Sequence, residues 1–340
     1  MLAFVAAATG IDASAMPAVN DVPLVVTPGG MTLMETPAAP IDRTIVFEQA
    51  ASITSKGQTA NSKFFDPARL PATFKATFHQ SICTATLVGP RVLLTAAHCL
   101  DTRTSDSTRP RVVRGGIRLS VEGFLRYFRS CELAPAYTAA PVPPTRTPRN
   151  SKDWALCELA EVVDAPTETL SLDPAAITAA PVVLVAGFGC TGFTFASGIF
   201  QANATSGQTL TAGDGRLERD RRDGWVVTVG RLGDGRAIVC PGDSGGAAFL
   251  GASIVPGNDV GWRVFGVNSA VGPSDAQARA WTSRPPLSGT PLTNAEFISY
   301  FAPLADPAFT DFVKRFQARS PATRQICGVD LPPTAGRCRR

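Results

Sequence analysis

The chain is predicted to be an all-β protein, from its composition and from the length of its apolar runs. Its 340 residues include 28 prolines and 30 glycines, and only 18% of the residues are charged. Such a composition favours many turns and short strands over long helices. The length is compatible with one large all-β domain plus extensions or with two domains.

Short apolar or β-branched runs, separated by turn residues, occur in both halves of the chain. In the first half the predicted strands cover residues 74–78, 84–88, 92–95 and 112–119. In the second half they lie within residues 181–190 and at 225–229, 247–250 and 262–268. The proline-rich residues 135–150 and the polar residues 201–224 are predicted to be surface loops.

One helix is predicted near the C-terminus. Asp306 is a good N-cap, and Pro307 suits the first helical position. The apolar residues that follow recur at helical spacing and are expected to pack against the core: Phe309, Phe312, Val313 and Phe316.

The strongest functional signal is the sequence Cys240-Pro241-Gly242-Asp243-Ser244-Gly245-Gly246. A serine among glycines suits a nucleophile on a tight turn. Gly242 lets the chain bend so that two main-chain N–H groups, those of Gly242 and Ser244, point into one small space. Such a pair can hold the oxyanion that forms when a hydroxyl attacks a carbonyl. Taken alone, the string is also compatible with an ordinary loop turn.

Two further stretches supply the groups that a serine nucleophile needs. Of the two histidines, His98 ends the run Thr95-Ala96-Ala97-His98, whereas His79 follows a predicted strand and is expected at the surface. Asp153 directly precedes an apolar run, Trp154-Ala155-Leu156, that lies between His98 and Ser244 in the sequence. A base must take the hydroxyl proton, and an acid must hold the imidazole tautomer. A satisfied core histidine is the alternative for His98, but it would leave the other two motifs as coincidences.

Together these motifs closely resemble the chymotrypsin/trypsin-like family of serine endopeptidases, over about residues 72–316. The shared motifs are Thr95-Ala96-Ala97-His98-Cys99, Asp153-Trp154-Ala155-Leu156 and Gly242-Asp243-Ser244-Gly245-Gly246. The resemblance implies two six-stranded antiparallel β-barrels with a C-terminal helix. It also implies that Ser244 is the nucleophile, His98 the base and Asp153 the orienting carboxylate, with an oxyanion hole at Gly242 and Ser244. No metal or cofactor is expected.

Eight cysteines, an even count, suggest disulfides and an extracytoplasmic location, secreted or periplasmic. Cys83 and Cys99 flank two predicted strands and are bridged in the family. Cys131 and Cys157 bracket the proline-rich loop and are expected to pair. The family's usual partner for Cys240 is missing, so Cys190 is its expected replacement, leaving Cys327 with Cys338. No Cys-x-x-Cys pair indicates a structural zinc site.

The N-terminal region is predicted to be processed. Residues 1–15 fit a signal-peptide remnant, although no Lys or Arg precedes the apolar run, and a disordered Ala-rich end is the alternative. Residues 16–44 fit a propeptide or linker, 45–318 the protease domain and 319–340 a C-terminal tail. In the family, a new N-terminus pairs with the residue equivalent to Asp243. The nearest match is Ile45-Val46-Phe47-Glu48, which lacks the family's glycines, so the zymogen mechanism is open.

The resemblance also places the primary specificity pocket. Ile238 occupies its base, where trypsin-like members have aspartate, and Ser269-Ala270-Val271 forms its wall. Val271 in place of glycine favours small or medium apolar side chains before the cut. A register slip by one residue would put Gly272 there instead, and Ile238 and Val271 could also be ordinary core residues.

The sequence therefore predicts a secreted serine endopeptidase, with a protease-like binding protein as the alternative. An α/β-hydrolase esterase is disfavoured because no histidine follows Ser244. The expected partners are protein or peptide substrates and an activating protease. A net charge of +4 without a basic stripe predicts no nucleic acid, and no apolar run predicts stable membrane insertion. The protein is expected to be a monomer.

Overall fold

The structure of the chain is a computed structural model. It describes residues 69–78, 81–101, 112–114, 118–121, 124–138, 150–180, 182–190, 192–196, 199–202, 210–218, 223–255, 261–284, 286, 290–292, 294–332 and 336–338. All of these residues belong to one unit, Arg43–Arg340. The predicted signal remnant, propeptide, new N-terminus at Ile45 and surface histidine His79 lie outside the described residues.

The first half of the described chain forms a seven-stranded antiparallel sheet. Its strands are β1 (Thr73–Phe78), β2 (Ser81–Gly89), β3 (Val92–Thr95), β4 (Val112–Arg114), β5 (Arg118–Val121), β6 (Phe124–Leu133) and β7 (Ala155–Leu159). The order is β1-β2-β3-β7-β6-β4, and β5 pairs only with β6. A four-residue helix, α1 (Ala97–Leu100), follows β3. Every residue of β3 and β7 is buried, and all of them are apolar except Thr95 and Glu158.

The described residues of the second half form a six-stranded sheet, a smaller sheet and three helices. These elements are α2 (Pro174–Ala179), β8 (Val182–Gly187), β9 (Phe193–Ala196), β10 (Ile199–Ala202), β11 (Thr211–Arg216), β12 (Val226–Arg231), β13 (Ala247–Leu250), β14 (Arg263–Pro273), α3 (Asp275–Ser283), β15 (Thr290–Pro291), β16 (Glu296–Pro303) and α4 (Pro307–Ala318). The larger sheet has the order β11-β8-β13-β14-β16-β12, and the smaller one has the order β10-β9-β15.

The larger sheet of the second half closes into a barrel. Leu217, the residue after edge strand β11, forms an antiparallel bridge with Thr228 of the other edge strand, β12. The Glu218 N–H donates a hydrogen bond to the Val227 carbonyl, at 3.0 Å. Closure removes the free edges that an open sheet presents. The predicted all-β fold of the chymotrypsin type is confirmed, with seven strands rather than six in the first sheet.

The predicted C-terminal helix is confirmed as α4. The Asp306 side chain accepts a hydrogen bond from the Ala308 N–H, at 2.9 Å, and Pro307 occupies the first turn. Its four predicted apolar residues, Phe309, Phe312, Val313 and Phe316, are all buried. The shorter helices α2 and α3 were not predicted. No helix among the described residues is long and apolar enough to cross a membrane.

The residues after α4, predicted as a tail, pack onto the first sheet where they are described. The Cys327 N–H donates to the Val88 carbonyl in β2, and the Cys327 carbonyl accepts from the Leu170 N–H. Arg324 is only 5% exposed and forms ion pairs with Glu132 of β6 and Glu158 of β7, both at 2.7 Å. The described part of residues 319–340 is therefore part of the same core, and the boundary at 318 stays a prediction.

Candidate active site

The sheet register brings His98 and Asp153 together. β3 pairs with β7 so that Thr95 lies opposite Ala155. Just beyond these two ends, His98 sits on α1 and Asp153 precedes β7. One Asp153 oxygen, Oδ2, lies 2.6 Å from His98 Nδ1, and the other accepts a hydrogen bond from the His98 main-chain N–H at 2.9 Å. The carboxylate thus fixes both the imidazole ring and the backbone that carries it.

Ser269 supplies a further donor to the same carboxylate. β14 has an irregular register between Asn268 and Ala270, and Ser269 lies in that bulge. A bulge redirects a side chain relative to the regular pleat. The Ser269 hydroxyl donates to Asp153 Oδ2 at 2.5 Å. Ser269 was predicted as a wall of the specificity pocket, and no signal within its own strand indicated this hydrogen bond.

The environment of His98 raises the pKa of its imidazole above the ordinary value. Burial alone lowers this pKa, because it disfavours the charged form. The charge of Asp153, its hydrogen bond to the ring and the charge of Asp101 outweigh that effect. Asp153 is fully buried, and the His98 side chain is 18% exposed. Such an imidazole readily accepts a proton and is stabilised once it carries one.

The nucleophile turn requires its glycines because other chain segments approach it closely. Gly242 has φ +101°, and a Cβ there would lie 2.9 Å from both Gly189 Cα and the Phe188 carbonyl oxygen. Gly245 has φ +86°, and its Cβ would lie 2.2 Å from the Thr84 carbonyl oxygen. A Cβ on Gly246 would lie 2.4 Å from the Ala186 carbonyl oxygen. Larger residues would therefore displace this turn from β2 and β8.

Asp243 is fully buried within this turn and accepts two main-chain hydrogen bonds. The Gly189 N–H donates to Oδ1 at 2.7 Å, and the Cys240 N–H donates to Oδ2 at 2.8 Å. A Cβ on Gly187 or on Gly189 would lie 2.5 Å from an atom of this carboxyl group. The Gly-Phe-Gly sequence, Gly187-Phe188-Gly189, therefore surrounds the Asp243 carboxyl group closely, and we call it the seat of Asp243. It holds this residue next to the candidate nucleophile.

The main-chain donors expected to bind an oxyanion are available. Within the described part of the chain, neither the Gly242 N–H nor the Ser244 N–H donates a hydrogen bond. The carbonyl groups that follow them are fixed, since Thr84 Oγ1 donates to the Gly242 carbonyl and the Thr84 N–H to the Ser244 carbonyl. Two free donors beside a partly exposed serine are what an oxyanion site requires.

The Cys83–Cys99 disulfide lies close to both the candidate base and the backbone of the candidate nucleophile. Cys99 Sγ is 4.0 Å from His98 Nε2 and 3.7 Å from the Ser244 carbonyl oxygen. Among the described residues, however, the Ser244 hydroxyl has no hydrogen-bond partner, so it is not hydrogen-bonded to His98. Catalytic hydrogen bonds are often long or poorly aligned before a substrate binds.

All eight cysteines are paired in disulfides. The pairs are Cys83–Cys99, Cys131–Cys157, Cys190–Cys240 and Cys327–Cys338, as expected from the sequence. The third pair connects the residue after the Gly-Phe-Gly sequence to the start of the nucleophile turn. It therefore links the residues that surround the Asp243 carboxyl group covalently to the turn that carries Asp243.

The residues predicted for the specificity pocket separate into two groups. Ile238 is 3% exposed and belongs to an apolar cluster with Phe193, Phe297 and the half-buried Val271. Phe193 and Phe297 stack with their ring centroids 4.7 Å apart. Ser269 instead bonds Asp153. Ile238 and Val271 are thus brought together in apolar surroundings.

One group of side chains resembles a metal site by distance alone. Cys83, His98 and Cys99 place potential ligand atoms within 4.8 Å of one another, which is the only such group in the part of the chain that the structure describes. The two sulfurs are joined in a disulfide, so neither is a thiolate ligand. The group therefore does not fit a metal ion.

Comparison with known proteins agrees with this geometry. A family model described as Trypsin matches residues 58–282, which is more than half of the chain and includes all three motifs. No curated protein matches the chain significantly. The family match confirms the resemblance inferred from the motifs. The chain therefore belongs to the trypsin family of serine-type peptidases.

Proposed function

We propose that the protein is a secreted serine endopeptidase that uses His98, Asp153 and Ser244. Ser244 Oγ attacks the peptide carbonyl carbon while His98 Nε2 takes the hydroxyl proton. The tetrahedral intermediate then expels the amine, which receives that proton from His98, and an acyl-enzyme remains. A water molecule, deprotonated by His98, then attacks the acyl-enzyme carbonyl. The second tetrahedral intermediate releases the carboxylic acid, and Ser244 Oγ takes the proton back from His98. The observation that carries this proposal is the double contact of Asp153 with the ring and backbone of His98.

The oxyanion of each tetrahedral intermediate would be held by the N–H groups of Gly242 and Ser244. Removing one such donor in an acyl-transfer enzyme slows kcat by about 10²–10³-fold. The fixed carbonyls on either side of Asp243 support this assignment, because they hold the turn in one shape before substrate arrives. A preformed site needs little reorganisation when charge develops.

The proposed specificity is for small or medium apolar residues before the cut. Ile238 offers no charge to a substrate lysine or arginine, and its neighbours Phe193, Phe297 and Val271 are apolar. Profiling with a peptide library is expected to show a preference for residues between alanine and leucine in size immediately before the cut. A clear preference for arginine or lysine would contradict this pocket assignment.

The four disulfides support export, since such bonds persist in oxidising compartments. Whether the protein is made as a zymogen is a separate question. Processing is proposed near residues 43–45, where Ile45-Val46 follows Arg43-Thr44. N-terminal sequencing of the active form tests this, and a start elsewhere would contradict it.

The deciding experiment is labelling of the purified protein with a fluorophosphonate probe, followed by peptide mapping. It is performed with and without limited proteolysis, and Ser244→Ala and His98→Ala serve as controls. Labelling of Ser244 that needs His98 is expected. A requirement for proteolysis would identify a zymogen. No labelling under either condition would favour the alternative, a protease-like binding protein.

A further inference from the structure

We propose that the hydroxyl of Thr84 positions the oxyanion-binding turn, an inference that rests on the proposed function. Thr84 lies in β2, directly after Cys83, and is fully buried. Its hydroxyl donates to the Gly242 carbonyl at 2.9 Å and accepts from the Phe188 N–H at 2.9 Å. Its main-chain N–H donates to the Ser244 carbonyl at 2.7 Å.

The bond to Gly242 fixes the peptide group between the two proposed oxyanion donors. That planar group consists of the Gly242 carbonyl and the Asp243 N–H. Thr84 holds its carbonyl end, and the Cys240 carbonyl accepts from its N–H end at 2.9 Å. The donor N–H groups of Gly242 and Ser244 belong to the peptide groups on either side. A rotation of the middle group would change the angle between both donors.

The second bond of the hydroxyl connects this turn to the seat of Asp243. Phe188 is the middle residue of the Gly-Phe-Gly sequence, and the next residue, Gly189, donates to Asp243. The Thr84 hydroxyl therefore links the two segments: it accepts a hydrogen bond from Phe188 in the seat and donates one to Gly242 in the turn. Only a side chain that can do both at once satisfies this position, which excludes valine despite its similar shape.

The neighbouring strand holds Thr84 in place. Thr95, at the end of β3, donates its hydroxyl to the Thr84 carbonyl at 2.9 Å. Three residues on, the chain reaches His98 on α1. Thr84 is thus positioned by the segment that carries the proposed base and in turn positions the segment that carries the proposed nucleophile.

The test compares Thr84→Val, Thr84→Ser and Thr86→Val in the reactive form of the full chain. Thr86 is a matched control, because it lies two residues further along β2, is fully buried, and its hydroxyl has no hydrogen-bond partner in the described structure. Three quantities are measured: kcat and KM on a peptide substrate, affinity for a peptide boronate that forms a tetrahedral adduct with Ser244, and thermal unfolding.

We expect Thr84→Val to lower kcat by about ten- to a hundred-fold, below the loss of a whole donor, with KM nearly unchanged. Boronate affinity should fall by the same factor as kcat/KM, since both depend on the oxyanion donors. Thr84→Ser should restore most of kcat, and Thr86→Val should stay within about twofold of the wild type. If Thr84→Val fails to fold, Thr84→Ala removes the same hydroxyl and must show the same direction of change.

Two results would overturn the inference while leaving the proposed function intact. One is a folded Thr84→Val protein, or its alanine substitute, with wild-type kcat. The other is an equal loss in Thr84→Val and Thr86→Val, which would indicate a general effect of core changes. An unreactive wild-type protein would instead overturn the proposed function, and the inference with it.

Discussion

Replacing Arg324 with methionine should destabilise the protein severely, because its guanidinium is buried between two carboxylates. It donates to Glu158 and Glu132, each at 2.7 Å, to Ser130 at 3.1 Å and to the Phe316 carbonyl at 2.7 Å. The guanidinium carbon also lies 4.2 Å from the centre of the Phe316 ring. Methionine fills much of the same volume but donates no hydrogen bond.

The size of the effect follows from what remains around Glu158 after the change. Its side chain is fully buried and, among the described residues, keeps only a hydrogen bond from Thr323 at 2.8 Å and an ion pair with Arg129 at 3.2 Å. Arg129 is 56% exposed, so solvent screens that pair. Removing one partner of a buried pair costs about 3–5 kcal/mol, and we expect Arg324→Met to lower the free energy of unfolding by that amount. Arg129→Met, the matched control, should cost about 0–1 kcal/mol.

The effect should depend on pH in a defined direction. Burial raises the pKa of Glu158, but hydrogen bonds from Arg324 and Thr323, with the charges of Arg324 and Arg129, lower it overall. A lowered folded-state pKa gives stability above the unfolded pKa of about 4.3, and this stability is lost as pH falls through the folded value. The difference between wild type and Arg324→Met should therefore shrink in acid.

Urea unfolding with disulfides intact, followed by two spectroscopic probes, measures these differences. Adding Glu158→Gln to Arg324→Met should recover part of the loss, because it removes the uncompensated charge. An Arg324→Met protein within about 1 kcal/mol of the wild type would refute the reasoning, as would an equal effect of Arg129→Met.

Three further predictions concern the candidate site. Asp101→Asn removes a charge that raises the pKa of His98, so the acidic limb of the pH profile of kcat/KM should move to lower pH. An unshifted limb would contradict the role of that charge. Gly245→Ala should cost about 4 kcal/mol or more in thermal unfolding, whereas Gly235→Ala, at φ +79° with no atom within 4 Å, should cost about 1 kcal/mol. Val271→Gly should raise kcat/KM for phenylalanine over alanine before the cut by about tenfold, and no change would place Val271 outside the pocket.

The sequence was sufficient to predict the fold and the candidate site where the information is local. The buried strand β3 appears as a largely apolar run, and the helix α4 shows its cap and its periodicity. The glycines around Ser244 also carry local information, because only glycine tolerates the close contacts found there. Family resemblance supplied the roles that spacing alone left open.

What the sequence did not indicate depends on partners that are distant along the chain. Glu158 lies 166 residues from Arg324, and neither residue's surroundings in the sequence suggest a buried ion pair. The hydrogen bond from Ser269 to Asp153 depends on a bulge within a long strand. In the sequence Thr84 looked like an ordinary strand residue. Its role depends on hydrogen bonds to Gly242 and Phe188, which lie more than 100 residues away along the chain.

The buried ion pairs of Arg324 with Glu132 and Glu158 can form only after residue 324 has been synthesised. Two carboxylates of the first sheet obtain their buried counter-charge from a residue near the end of the chain. At about 5–20 residues per second, a ribosome needs roughly ten to thirty seconds to add the 166 residues between Glu158 and Arg324. During that interval the nascent first sheet cannot reach its final state. If the proposed export takes place, this delay favours translocation of the chain before it folds.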